Sequence, residues 1–179
     1  MKPDETVPTD LVILFTDVHN FSIAATSLGS KQAEFLQEMY VSLGDAILAR
    51  GGTLVKYIGD AMLATFPGGH EGAAVDCAIE LRDRFGNIVS EGKLPGEVEL
   101  EVAIGSGEVI TGEFGHPSLR MKDIFGDAVN RTATIGHHRG IAITERVFQR
   151  VKDIHRTREL VALRVKWQDA PLQRWEILV

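Results

Sequence analysis

GGTLVKYIGDAMLATF (residues 51–66) reads as two short strands, 53–58 and 61–66, folded back on each other at Gly59-Asp60. Gly51-Gly52 stops what comes before it, and Pro67-Gly68-Gly69 breaks the chain after it. Working outward, residues 30–50 read as a helix. Ser30 is its candidate N-cap, and Phe35, Met39, Leu43, Ala46 and Ile47 recur at helical spacing. Residues 70–86 read as a second helix, with Ala74, Ala78, Leu81 and Phe85 on one face. Beyond the helices lie a buried strand at 10–17, apolar from Leu11 to Phe15, and a strand at 97–104 that alternates Val98, Leu100, Val102 and Ile104. The order β-α-β-β-α-β predicts an α+β protein with a ferredoxin-like core and a C-terminal extension. Its palm-like sheet is expected to be antiparallel or mixed, with helices packed on one face.

Residues 1–9 read as a loose N-terminal tail, leaving 10–179 as one domain. Residues 107–115 read as a return strand, with Gly105, Gly107 and Gly112 in a tight hairpin rather than a dinucleotide fingerprint. HPSLRMKD (116–123) reads as a polar connection or projecting arm. A helix at 127–138, a short strand at 141–143 and a helix at 144–151 follow. The last 20 or so residues read as two strands around Asp169-Ala170-Pro171.

A chain of 179 residues can bury one core of its own. The net charge of −6 argues against a nucleic-acid surface, which would carry a basic patch. It leaves a nucleotide enzyme open, because bound cations supply positive charge. Cys77 is the sole cysteine, which excludes an internal disulfide and a cysteine zinc cluster and fits a reducing, cytoplasmic setting. The polar start MKPDETVPTD is unlike a signal peptide, and no apolar run approaches the ~20 residues of a membrane span.

Two aspartates carry the chemistry. Asp17 closes the apolar run LVILFTD (11–17), and Asp60 sits in the hairpin turn. Neighbouring strands can bring both carboxylates together, an oxygen-rich arrangement suited to Mg²⁺ and a phosphate-bearing substrate. His137 and His138 are adjacent on a helix, so they point in different directions and read as surface residues at its end.

FTDVHNF (15–21), GGTLVKYIGDAMLATF (51–66), GSGEVITGEFG (105–115) and DIFGDAVN (123–130) together resemble the class III adenylate/guanylate cyclase catalytic domain, in that family's order and spacing. The resemblance runs from about Leu11 to the C-terminus. It implies an adenylate cyclase that converts ATP to 3′,5′-cyclic AMP and pyrophosphate with two Mg²⁺ or Mn²⁺ ions. Asp17, Asp60 and the Val18 carbonyl match the family's metal ligands. The amides around Asn20 and Phe21 would cradle phosphate oxygens. Lys56 and Asp123 match the pair that reads adenine: a carboxylate accepts from the N6 amino group, and an ammonium donates to N1. Guanine inverts that polarity and would call for an acidic residue in place of Lys56. Asn130 matches an asparagine that positions the ribose, and Lys166 a lysine that contacts phosphates, although Trp167 stands where the family usually has glycine.

One position departs from the pattern. Thr134 stands where the family usually carries an arginine four residues after the asparagine, and Arg131 lies ~100° around the helix from Asn130. Low turnover, or a non-catalytic nucleotide-binding or dimerisation module, is the alternative this raises. Guanylate cyclase activity is disfavoured by Lys56 and Asp123, and diguanylate cyclase activity by YIGDAM in place of a GG(D/E)EF turn. In the family each site is shared, so a head-to-tail homodimer is expected. Metal aspartates would come from one chain and Lys56, Asp123 and Asn130 from the other.

Overall fold

A computed structural model describes residues 6–92, 94 and 97–179. Its first strand, β1 (Val7–His19), is followed by helix α1 (Phe21–Leu28), a single 3₁₀ turn (Gly29–Lys31) and helix α2 (Gln32–Ala49). Strands β2 (Thr53–Ile58) and β3 (Ala61–Pro67) form the expected hairpin, and α3 (Glu71–Gly92) follows. Then come β4 (Glu99–His116), β5 (Leu119–Phe125), α4 (Asp127–Ile135), β6 (Ile141–Thr144), α5 (Glu145–Val151), β7 (Thr157–Leu163) and β8 (Leu172–Ile177).

The strands form one sheet in the order β2-β3-β1-β4-β6-β8-β7, with β5 added to β4. Its first four strands carry the antiparallel ferredoxin-like arrangement, while β6 joins β4 in parallel. The sheet is therefore mixed, as expected.

Helices cover both faces rather than one. Val12, Leu14 and Val18 of β1 pack with Phe35, Met39 and Leu43 of α2, Leu81 and Phe85 of α3, and Val147 and Val151 of α5. The opposite face buries Ile13, Leu63, Val109 and Ile124 against Ala128 and Val129 of α4. The alternation along β1 sends successive side chains to the two cores.

Four sequence expectations change. The tail expected over 1–9 is strand from Val7 onward, and residues 1–5 lie outside the described part. The expected hairpin at Gly105–Gly107 does not exist, because β4 runs unbroken and pairs with β1 from Val7–Thr111 to His19–Glu99. The glycines answer to α4 instead. A Cβ on Gly105 would lie 2.0 Å from Thr132 Oγ1, and one on Gly107 would lie 2.8 Å from the Ala128 methyl. The connection expected at 116–123 is shorter, since β5 begins at Leu119. Ser30 is not a cap: it lies in the 3₁₀ turn, and α1 occupies residues that carried no helix expectation.

Candidate active site

Asp17 sits near the end of β1, one residue past the Thr16–Met62 pair that ends the β1–β3 ladder. Ala61 follows Asp60 directly, so the ladder brings the hairpin turn beside Asp17. The Asp60 carboxyl lies close enough to the Asp17 side chain and the Val18 backbone for both to act on its charge. Burial pushes the Asp60 carboxyl above its ordinary value, and the Asp17 charge adds to the push, against backbone hydrogen bonds that lower it. An oxygen-only pair that resists being doubly charged fits a hard divalent cation, which would neutralise both.

The turn is held from outside. Gly59 has φ +60°, a conformation glycine adopts freely, and the Tyr40 hydroxyl donates to its carbonyl. Tyr40 stacks with Tyr57 at a ring separation of 4.2 Å, which ties α2 to β2.

Asn20 is the one non-glycine residue with positive φ among the described residues (φ +60°), a conformation asparagine tolerates. Its carbonyl accepts the Ile23 and Ala24 amides and so starts α1, while its side-chain amide donates to the Glu97 carbonyl at 3.0 Å. The turn that follows Asp17 is therefore a helix N-terminus, with the first amides of α1 beginning at Phe21. Amides there favour a phosphate group.

Lys56 and Asp123 form a second cluster. Lys56 Nζ donates to Asp123 Oδ2 at 2.6 Å, and Asp123 Oδ1 accepts the Ile124 amide at 2.8 Å. Both side chains are mostly covered, 25% and 17% exposed, so the pair is a directed contact and not a solvated one. It borders a cleft of about 470 Å³ lined by Leu11, Leu54, Thr65, Thr111 and Asp123.

Asn130 is exposed on α4. Thr134 Oγ1 turns back to donate to the Asn130 carbonyl at 2.7 Å. Arg131 is engaged by Asp127 on the same helix, so it does not stand in for the arginine missing at Thr134. Lys166 is exposed in the turn between β7 and β8, beside Trp167.

Lys56 and Asp123 reach each other from different levels of the sheet. Asp123 pairs with Gly112, one step past the Val7–Thr111 pair, at the starting end of β1. Lys56 pairs with Leu63, which pairs with Phe15, two residues before Asp17 on β1.

Two residues near Asp17 carried no expectation of a role at the site. Glu101 lies directly opposite Asp17 on β4 and is only 6% exposed, with His19 Nδ1 at 3.1 Å from its Oε1. His137, expected as a surface residue, is exposed but comes to Asp17 and Glu101, while His138 turns to Glu176 at 3.2 Å. The alternation of β4 marked Glu101 as pairing opposite Leu100's core face, but only the β1–β4 register makes it a neighbour of Asp17.

Residues 5–168 match the family model of the adenylate and guanylate cyclase catalytic domain. The chain therefore belongs to the class III nucleotidyl cyclases. It is 31% identical over 133 residues to an adenylate cyclase of Anabaena cylindrica, covering 70% of this chain and 26% of that protein. The chain thus spans about a quarter of that relative's length. The crystal structure of the adenylyl cyclase CyaB from P. aeruginosa superposes with a TM-score of 0.90 at 21% identity, covering 98% of this chain and 97% of that one. The catalytic core of a rhodopsin-guanylyl cyclase with converted specificity, in complex with ATPαS, superposes with a TM-score of 0.85 at 20% identity, covering 97% of each chain. At such identities the superpositions establish the fold. No helix among the described residues is long and apolar enough to cross a membrane.

Proposed function

We propose that this chain is an adenylate cyclase domain that converts ATP to 3′,5′-cyclic AMP and pyrophosphate. The observation that carries the reading is the covered Lys56–Asp123 contact. It fixes one donor and one acceptor side by side, the polarity of the adenine edge. Asp123 would accept from the N6 amino group and Lys56 would donate to N1. Asn130 would orient the ribose. Lys166 and the amides at Asn20 and Phe21 would meet the phosphates.

Asp17, Asp60 and the Val18 carbonyl would hold two Mg²⁺ or Mn²⁺ ions, consistent with the paired carboxylates. Bound there, the ions would supply positive charge to the ribose 3′-oxygen and to the triphosphate. The 3′-oxygen would attack the α-phosphorus in line, forming the ring ester as the bond to pyrophosphate breaks.

A head-to-tail homodimer is supported by the family resemblance, in which the metal aspartates and the base-reading pair come from different chains. A second chain would bring its Lys56, Asp123 and Asn130 to the first chain's aspartates. Tyr57, Ile58, Met121 and Phe125, each 45–51% exposed on β2 and β5, offer apolar area for such a contact.

The test is an assay of purified protein with ATP or GTP and Mn²⁺. Cyclic AMP and pyrophosphate are expected from ATP in preference to GTP. No product above an Asp60→Ala control would overturn the reading. Thr134 favours one second reading, a module that binds nucleotide without turning it over.

A further inference from the structure

Asp17, Glu101 and His137 each present a ligand atom, and these atoms all lie within 4.8 Å of one another. They come from three separate elements. Asp17 and Glu101 face each other across the β1–β4 ladder, and His137 follows the end of α4. The arrangement lies on the opposite side of Asp17's role from the hairpin: Asp60 is not a member of it.

Three features point to a bound cation. Glu101 is a carboxylate buried to 6% exposure, and a buried carboxylate is costly unless it meets positive charge. Its hydrogen-bonding partner is the His19 imidazole, at 3.1 Å. An imidazole or carboxylate behind a ligand is the usual support of a metal site. Finally, Arg139, which lines one cleft together with Asp17, Glu101 and His137, is engaged by Glu97 at 2.9 Å and by Glu99. Arg139 therefore does not neutralise Glu101, whose side-chain partner is the His19 imidazole.

We propose that Asp17, Glu101 and His137 bind a d-block dication such as Zn²⁺, and that this ion takes Asp17 away from the catalytic metal site. The donor set decides the metal class. One imidazole nitrogen with two carboxylates suits Zn²⁺, whereas Mg²⁺ prefers an all-oxygen shell. Ligand atoms on a tetrahedral Zn²⁺ with bonds of about 2.0 Å stand roughly 3.3 Å apart. The exposed His137 side chain has room to close that difference. A fourth position stays open to water. The ion-binding claim stands on its own geometry; the inhibitory consequence rests on the adenylate cyclase reading.

The experiment is a Zn²⁺ titration of the full chain against a chromogenic chelator, in millimolar Mg²⁺. Wild type is expected to bind one Zn²⁺. His137→Ala, at an exposed position, is expected to bind at least tenfold more weakly, and Glu101→Gln likewise. His19→Ala, which removes only the support, is expected to lose about 10–100-fold. Asp60→Asn is expected to keep the site. Absence of Zn²⁺ binding in wild type, or His137→Ala binding as tightly as wild type, would overturn the proposal. So would a site lost in Asp60→Asn and kept in His137→Ala, because Zn²⁺ would then be sitting between the two aspartates. In the cyclase assay, Zn²⁺ should inhibit wild type and spare His137→Ala. A protein with no cyclase activity but the expected Zn²⁺ pattern would sink the functional reading and leave the site standing.

Discussion

Lys56 Nζ lies 2.6 Å from Asp123 Oδ2, which joins the hairpin strand β2 to β5 beside the cleft that Asp123 lines. Each group holds the other in line, so the donor and the acceptor are set before any base arrives. Lys56→Met keeps the bulk and removes the donor. Hydrogen bonds to charged groups are worth about 1.5–3 kcal/mol, so kcat/KM for ATP is expected to fall roughly 10–100-fold. The fall should be smaller for GTP, whose N1–H never used the ammonium. Measuring both nucleotides checks this; an equal loss for the two would mean that Lys56 does not read the base.

The metal pair makes a prediction about stability. Burial first, and the Asp17 charge as well, raise the Asp60 carboxyl above its unfolded value. The folded state then binds a proton more readily than the unfolded state across the window between the two values. Stability therefore falls as pH rises through that window, above the ordinary carboxylate range. Asp60→Asn removes the charge. In chelator at neutral pH its thermal midpoint is expected above that of wild type, with a flatter pH dependence. Mn²⁺ should raise wild type and leave the variant nearly unmoved. A variant less stable than wild type in chelator would show that the pair is not under strain.

Thr134 is the position where activity can be gained. Its hydroxyl is turned onto its own helix, and Arg131 is tied to Asp127. An arginine at 134 would share a helix face with Asn130, one turn on. One preorganised donor at a developing charge is commonly worth ~10²–10³ in rate. Thr134→Arg is expected to raise kcat by about that factor with little change in KM. ATP binding without turnover in both forms would instead favour the binding-module reading.

Shared sites can be tested by mixing inactive chains. Asp17→Ala and Lys56→Ala each spoil a different half of the site. In a random mixture half the dimers are mixed, and each of those keeps one intact site of two. Activity is then expected to reach about a quarter of wild type. A mixture no more active than either variant alone would place both halves in one chain.

Much of the fold was legible because it is written in local periodicity. The helical spacing from Phe35 to Ile47 and the Gly59-Asp60 turn belong to single elements and need no partner to be read. What escaped depends on distant contacts. Gly105 and Gly107 look like a turn in sequence, but their cause is a helix that begins twenty residues later and lies on them. The same holds at the site. Asp17, Asp60, Lys56 and Asp123 lie in recognisable strings, whereas Glu101 becomes a neighbour of Asp17 only through the β1–β4 register. His137 could not be placed, because α4 stops at Ile135 and the chain turns there, instead of continuing helically to 138.

That reading of Gly105 can itself be tested. A Cβ there would lie 2.0 Å from Thr132 Oγ1 and 3.2 Å from Thr132 Cβ. Thr132 is fully buried, and its hydroxyl donates to the Ala128 carbonyl at 2.7 Å, so it has no free rotamer to retreat into. Overpacking of this kind typically costs about 1–3 kcal/mol. Gly105→Ala is expected to destabilise by at least that much in a urea titration. Thr132→Ala removes the hydroxyl oxygen and leaves the milder contacts, 3.2 Å to Cβ and 3.3 Å to Thr144 Cγ2. The double variant should therefore be more stable than the sum of the two single effects predicts, with a coupling of roughly 0.5–3 kcal/mol. Strict additivity would mean that α4 does not press on Gly105, and that this glycine serves a turn after all.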